Sequence, residues 1–175
     1  MNNKNYIVQL ARETVKRLLN NEKLPNDGNE IAVSDLWKER SACFVSIKTK
    51  NGELRGCIGT LSPVQESLDK EIIANAVSAS TRDPRFPPMT KNELSNVIFS
   101  VDVLSEPEPI EKINQLDPKK YGVIVSQSYR RGVLLPDLEG VDTTEQQVQI
   151  AAMKAGIYDT NNIKLERFTV TRYKE

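Results

Sequence analysis

A turn pair, Asn51-Gly52, separates two stretches rich in β-forming residues, 42–50 and 53–60. An Asn-Gly pair suits the two positive φ angles of a type I′ turn, which joins antiparallel strands through a two-residue loop. Such a turn fixes the register, because a slip of one residue would move every side chain to the other face of the sheet. The predicted cross-strand pairs are Lys48 with Arg55, Ser46 with Cys57, and Val45 with Ile58.

Side chains alternate between the two faces of a strand, so the predicted hairpin has one apolar and one polar face. The apolar face belongs to the core and carries Val45, Ile47, Leu54 and Ile58. The polar face carries Ser46, Lys48, Arg55 and Cys57. On that face Arg55 and Cys57 are two residues apart, which is about 6–7 Å between their Cα atoms.

The polar face of the hairpin has the composition of a ligand or thiol site. A guanidinium next to a thiol stabilises the nucleophilic thiolate, so Cys57 is the candidate catalytic residue and Arg55 a candidate ligand-binding residue. Gly56 and Gly59 would let a ligand approach the backbone, and Thr60 supplies a hydroxyl. A packing interpretation stays open, in which the glycines mark a β-bulge against a packed helix and Cys57 is a small filler.

The chain contains no histidine. A cysteine hydrolase or protease normally needs a base beside its thiol, and histidine is the usual one. Cys57 could still act as an acceptor or a redox nucleophile with help from Arg55. The residues therefore predict a site but do not establish a reaction.

Hydrophobic spacing and capping patterns elsewhere predict further helices and strands. The predicted helices span 5–19, from the Ser62-Pro63 capping pattern to near Arg82, and from Thr143 to Ala155, with Gly156 as a left-handed stop. The predicted strands are 97–104, a second hairpin of 121–126 with 132–135, and 165–173. Because strands and helices mix without strict alternation, an α+β fold is favoured over a doubly wound sheet.

Composition excludes several functions. Lys plus Arg is 24 and Asp plus Glu is 24, a balance that argues against a dedicated nucleic-acid binder. Two cysteines, Cys43 and Cys57, favour reduced thiols, and without histidine they make no usual zinc site, so we expect no metal and no cofactor. The first residues lack a signal-peptide pattern and no apolar run is long enough to span a bilayer, so we expect a cytoplasmic protein.

Two arginine-containing segments are further candidates. Pro84, Pro87 and Pro88 stiffen a loop that would pre-organise Asp83 and Arg85, with Arg85 as an anion anchor. The alternative is a loop that simply ends a helix, with Asp83 paired to an arginine. Arg131, beside Arg130 and Gly132, could bind a phosphate or a carboxylate, or could belong to a solvated hairpin tip.

Several of these motifs occur in order along the chain. They are Leu54–Thr60, Asp83–Pro88, Val103–Ile110, Arg131–Pro136 and Lys154–Gly156. In this order they resemble the AMMECR domain family, whose bacterial and archaeal members are called AmmeMemoRadiSam system protein A. The resemblance covers most of the chain, from Phe44 to Phe168.

This resemblance implies one AMMECR domain over 1–175, with a larger and a smaller subdomain. The implied fold is α+β, a mixed or antiparallel sheet with flanking helices, in which two lobes form a groove lined by 54–60. The resemblance also implies an association with a Memo-type protein and a radical-SAM protein. Family members often carry histidine where this chain has Tyr121, which favours a role that needs no imidazole.

The leading hypothesis is a protein that binds a small anionic ligand or a peptide in that groove and acts with those two partners. Arg55 and Arg85 would orient the anionic group, and Cys57 would be the contact or acceptor thiol. One alternative is an enzyme that uses Cys57 in a group-transfer step. The other is an adaptor without catalysis; neither nucleic acid nor a membrane is expected as a partner.

Overall fold

The computed structural model describes residues 5–175, and in this range the chain has three α-helices and eight β-strands. The helices are α1 Asn5–Leu19, α2 Leu68–Thr81 and α3 Thr144–Lys154. The strands are β1 Cys43–Thr49, β2 Leu54–Gly59, β3 Val97–Leu104, β4 Glu108–Ile110, β5 Gly122–Gln127, β6 Arg130–Leu134, β7 Lys164–Phe168 and β8 Val170–Lys174. The predicted α+β class is confirmed.

The strands form two antiparallel sheets of four strands each. The order is β2-β1-β3-β8 in the first sheet and β4-β7-β5-β6 in the second. The chain divides into two compact units, of which the first runs up to Val103 and includes Thr171–Glu175, and the second is Leu104–Val170. Each unit has its own hydrophobic cluster.

In the first unit, one face of the sheet packs with α1 and α2. Val45 and Ile47 of β1 and Phe99 and Val101 of β3 are fully buried in a cluster with apolar residues of both helices. α1 spans the residues that its helical spacing predicted. The opposite face of this sheet, which we call the polar face, carries Ser46, Lys48, Cys57 and Ser100.

The first hairpin differs from its prediction near the turn. Gly52 alone takes a positive φ, +91°, and the Thr49 N–H donates to Glu53 O at 2.8 Å, which gives a loop of three residues. A β-bulge at Arg55 then restores the predicted register, so Ser46 faces Cys57 and Val45 faces Ile58 as expected. The predicted Lys48–Arg55 pair is wrong, because Lys48 faces Leu54, whose side chain is exposed rather than in the core.

Helix α2 starts later than the Ser62-Pro63 pattern predicted. Its first residue is Leu68, and Ser67 is the N-cap, with an extended φ of −155°. The N–H groups of Val64 and Gln65, which would begin a helix, instead donate to the buried carboxylate of Glu71 at 2.9 and 2.7 Å. The predicted end of the helix is confirmed, since Arg82 is its C-cap.

The predicted last strand, 165–173, is two strands in two different sheets. β7 lies in the second sheet and β8 in the first. The chain leaves the ladder at Thr169, whose N–H donates to Ser105 Oγ at 2.9 Å. This prediction was wrong because a continuous β-forming pattern does not show where one sheet ends and the next begins.

In the second unit, the predicted hairpin and helix are both present. β5 and β6 pair around a short turn at Ser128, which has a positive φ of 55°. Thr143 and Gln146 form the predicted capping box at the start of α3. Gly156 has a φ of +68°, as expected for the residue that stops this helix.

Candidate functional site

The thiol of Cys57 lies on the polar face, on the edge strand of the first sheet. Its Sγ atom is 3.1 Å from the hydroxyl oxygen of Ser46, and Ser46 faces Ser100 on the next strand. Cys57 is partly exposed, whereas Cys43 is fully buried and alternates onto the helix-packed face of β1. A thiol and two hydroxyls therefore form one row across three strands.

Arg55 lies in the bulge, and its guanidinium is directed to Glu93. Nε is 2.6 Å and Nη2 is 3.2 Å from the two Glu93 carboxylate oxygens, and Nη2 also donates to Pro87 O at 3.1 Å. The hydrogen bond from Arg55 lowers the pKa of Glu93. The structure thus uses Arg55 to hold the segment that follows the proline-rich loop, and not as the cation beside the thiol.

Asp83 and Arg85 are the charged residues that contact Cys57. The buried Asp83 carboxylate accepts from the Cys57 N–H at 2.9 Å and from Arg85 at 2.9 and 2.7 Å, and Arg85 Nη2 donates to Cys57 O at 3.3 Å. The Arg85 hydrogen bond holds the pKa of Asp83 well below its usual range, against the opposing effect of desolvation. The same bond raises the pKa of Arg85.

The Asp83–Arg85 ion pair makes the backbone hydrogen bonds to Cys57 that a neighbouring strand would otherwise make. On an edge strand the outward N–H and C=O groups are unpaired and can recruit another chain. Here a carboxylate accepts from the outward N–H of Cys57 and a guanidinium donates to its C=O. The proline-stiffened loop therefore closes the edge of β2 at Cys57.

At both glycines of the motif, neighbouring atoms of the protein occupy the space that a side chain would take. A Cβ on Gly56 would lie 2.1 Å from Ala79 O of α2, and one on Gly59 would lie 2.3 Å from the ring of Phe44. Both distances are far inside van der Waals contact. The packing interpretation accounts for these glycines, since the space they leave is taken by α2 and by Phe44.

Thr60 serves as an anchor for the loop before α2. Its hydroxyl donates to Glu71 Oε1 at 2.6 Å, while the other Glu71 oxygen accepts from Val64 and Gln65. Glu71 is itself 1% exposed. This buried carboxylate therefore fixes the loop, which leaves the Thr60 hydroxyl already bonded within the protein.

Arg131 belongs to the second compact unit, whereas the other candidate residues belong to the first. Its guanidinium is 3.5 Å from the Glu166 carboxylate across β6 and β7 of the second sheet. The adjacent Arg130 donates to Gly156 O at 2.7 Å. The first unit holds the other candidate residues, which are Arg55, Gly56, Cys57, Gly59, Thr60, Asp83 and Arg85.

The polar face also has a pocket that the sequence did not indicate. It has a volume of about 350 Å³ and adjoins the row that contains Cys57. Its polar and charged lining includes Ser46, Lys48, Lys50, Ser100, Asp102, Arg172, Lys174 and Glu175. The hairpin register predicts Lys48 on this face, but Lys174 reaches it only because β8 lies next to β3.

Two absences apply to residues 5–175. No group of three or more His, Cys, Asp and Glu side chains in this range is arranged to hold a metal ion. Across the same range, no helix combines the length and the apolar character that crossing a bilayer requires.

We expect a thiol reagent to modify Cys57 but not Cys43 in the folded protein. Burial raises the pKa of Cys43 to about 12, and its side chain is fully inaccessible, so reaction there requires the protein to open. Brief maleimide labelling followed by mass spectrometry should show one adduct in buffer and two in denaturant. Cys57→Ser should remove the native adduct, and equal labelling of both thiols would contradict the structure.

Comparison with known proteins supplies the family. The AMMECR1 family model matches residues 8–175. A protein of Thermotoga maritima is 51% identical over 147 residues, covering 83% of this chain and 84% of that protein. A Clostridium acetobutylicum protein is 45% identical over 168 residues, and this match covers 96% of the chain but 36% of the longer relative.

A solved structure has the same fold. The crystal structure of an uncharacterised protein from Pyrococcus horikoshii superposes with a TM-score of 0.86 and 27% identity, covering 98% of this chain and 91% of that one. The family model extends over both compact units, and the Thermotoga and Clostridium proteins are similar over most of the chain. The resemblance drawn from the motifs is confirmed, and the chain belongs to the AMMECR1 family.

Proposed function

We propose that this protein binds a small anionic ligand in the pocket on the polar face, beside Cys57, and that it acts with Memo-type and radical-SAM partners. The pocket, at about 350 Å³, is within the usual size range of small-molecule sites. Ser46 lines it and also contacts the thiol, so a ligand in the pocket lies next to the Cys57 row. Family membership alone supports the two partners.

The charges that line the pocket carry this proposal. Both of its side-chain carboxylates are already engaged, Asp102 with Arg172 at 2.7 Å and Glu175 with Arg12 and the Phe99 N–H. The remaining charged side chains are cationic, and none of them forms an ion pair with a residue in 5–175. They are Lys48, Lys50 and Lys174. A low-molecular-weight anion in the pocket would neutralise the positive charge of these lysines.

The alternative of an enzyme with Cys57 as nucleophile has less support from the geometry. The thiol contacts a serine hydroxyl and not a base. Arg55 is bonded to Glu93, and Arg85 is neutralised by Asp83. The groups around the sulfur position its backbone but supply no proton acceptor of the kind that thiol catalysis uses.

Titration calorimetry with pyrophosphate and with citrate tests the pocket. We expect binding that weakens with added salt, because exposed lysines are screened. The double variant Lys48→Gln/Lys174→Gln should lose at least about tenfold in affinity, since a hydrogen bond to a charged group contributes about 1.5–3 kcal/mol. Lys120→Gln, an exposed lysine of the second unit, is the matched control and should bind as the unaltered protein does.

Two results would overturn the proposed pocket. One is no measurable binding of either polyanion at low salt. The other is equal affinity in the unaltered protein and in the Lys48→Gln/Lys174→Gln variant. The partners are tested separately by co-elution with a purified Memo-type protein, and a failure there would remove that partner while leaving the pocket intact.

A further inference from the structure

A second surface with an unusual charge distribution lies on the other side of the first unit, along α2. It is an open groove of about 560 Å³ between this helix and the segment that follows α1. It shares no lining residue with the pocket on the polar face. Its lining includes Lys23, Leu24, Lys70, Ile73, Val77 and Arg82.

All charged residues of this groove are cationic. They are Lys23, Lys70 and Arg82, and no carboxylate lines the groove, although the whole chain has equal numbers of acidic and basic residues. Glu30 interacts with Lys23, but its carboxylate is bonded to Arg17 and to the Asn26 N–H. The groove therefore has an uncompensated positive charge.

The floor of the groove is apolar. Ile73, Ala74 and Val77 form one side of α2 and remain half-buried, while Leu24 and Pro25 supply the facing wall. The opposite side of α2 is fully occupied, because Ile72 and its neighbours pack in the core. The apolar stripe is thus only partly covered by the protein, with Ile73 also packing against the core cluster.

The length of the groove favours a chain over a metabolite. Lys70 and Arg82 are twelve positions apart along α2, which is about 18 Å, so cations stand at both ends of the apolar stripe. Five or six extended residues, or a helix of about 12 residues, cover that distance. The groove is also held in place, since Lys70 Nζ donates to Asn26 O and the Asp69 carboxylate accepts from the Gly28 N–H at 2.8 Å.

From these contacts we infer that the groove docks an acidic peptide segment of a partner protein. The segment carries carboxylates near both ends, which meet Lys23, Lys70 and Arg82. Between them it carries small or branched apolar side chains, which cover Ile73 and Val77. This mode of recognition combines an apolar contact with a charged rim, and the charges select acidic over basic segments.

Peptide selection by phage display tests this inference. Random peptides of about 12 residues selected on the unaltered protein should converge on acidic residues flanking an apolar pair. A labelled peptide of that consensus, measured by fluorescence anisotropy, should lose at least about tenfold in affinity with Lys23→Glu/Arg82→Glu and with Val77→Asp. The control Lys120→Glu should leave the affinity unchanged, and added salt should weaken binding.

Three outcomes would overturn it: no consensus, a consensus without acidic residues, or a consensus peptide that binds Lys23→Glu/Arg82→Glu as tightly as the unaltered protein. Vesicles of phosphatidylcholine with and without phosphatidylserine form a parallel arm. The groove would be assigned to a membrane surface if no peptide were selected, the protein bound the anionic vesicles, and Lys23→Glu/Arg82→Glu abolished that binding. Trp37 fluorescence verifies that each variant is folded, and Arg82→Gln replaces the charge-reversal variant if that one does not fold. Pyrophosphate binding measures the pocket on the polar face separately, so a failure of one proposal is distinguishable from a failure of the other.

Discussion

Gly56→Ala is expected to destabilise the first unit by about 3 kcal/mol, near the upper end of the range for overpacked sites. The added Cβ would lie 2.1 Å from the carbonyl oxygen of Ala79, which is backbone in the last turn of the packed helix α2. A flexible side chain could move aside, but here either β2 or α2 must shift. Such a shift would also strain the hydrogen bonds that hold Cys57 to the Asp83 loop.

Urea denaturation followed by Trp37 fluorescence measures this effect, because Trp37 is the single tryptophan and is buried in the core of the first unit. Leu54→Ala is the matched control on the same strand, and with a partly exposed side chain it should cost much less. If Gly56→Ala had the same urea midpoint as Leu54→Ala, α2 and β2 would not be packed as closely as they are in the structure.

The sequence predicted those parts of the fold that depend on local patterns. The bounds of α1, the residues of β3 and the capping box at Thr143 follow from periodicity and from short-range capping chemistry. The pairing of Ser46 with Cys57 was also predicted, because the hydrophobic alternation and the turn position together fix it. These features require no knowledge of distant residues.

The errors arise where side-chain contacts override the local pattern, whether the partner is near or far in sequence. The Ser62-Pro63 pattern predicted a helix start, but a buried carboxylate at Glu71 takes the N–H groups involved. The bulge at Arg55 accompanies an ion pair with Glu93, 38 positions away. No local pattern indicates either partner.

In the candidate site, too, some features were predicted from the sequence and others were not. The sequence correctly placed Cys57 and Ser46 on one face, and it selected Asp83 and Arg85, which the structure brings to the Cys57 backbone. It chose Arg55 as the neighbouring cation, whereas Arg85 has that place. The pocket was missed because Lys174 joins it through the strand order β3-β8, which a single sequence does not reveal.

Asp83→Ala is the second substitution with a large expected effect, a loss of about 1.5–3 kcal/mol in the free energy of unfolding, because the Arg85 side chain that is left behind is half exposed. The carboxylate is 3% exposed and accepts hydrogen bonds from the Cys57 N–H and from Arg85. Its removal leaves an outward N–H of an edge strand without a partner and releases the loop that closes that edge. Asp35→Ala is the matched control, since the Asp35–Lys38 pair is highly exposed and should contribute little.

The pH dependence of stability gives an independent test of the same carboxylate. Because the pKa of Asp83 is lower in the folded protein than in the unfolded chain, the unfolded state binds more protons as the pH falls. The stabilisation is therefore complete above the ordinary aspartate pKa of about 3.9 and is lost progressively below it. Asp83→Asn should show a shallower loss of stability on acidification than the unaltered protein. Equal acid slopes in urea titrations across that range would show that the Arg85 pair does not stabilise the ionised carboxylate, and the closed edge at Cys57 would then need another explanation.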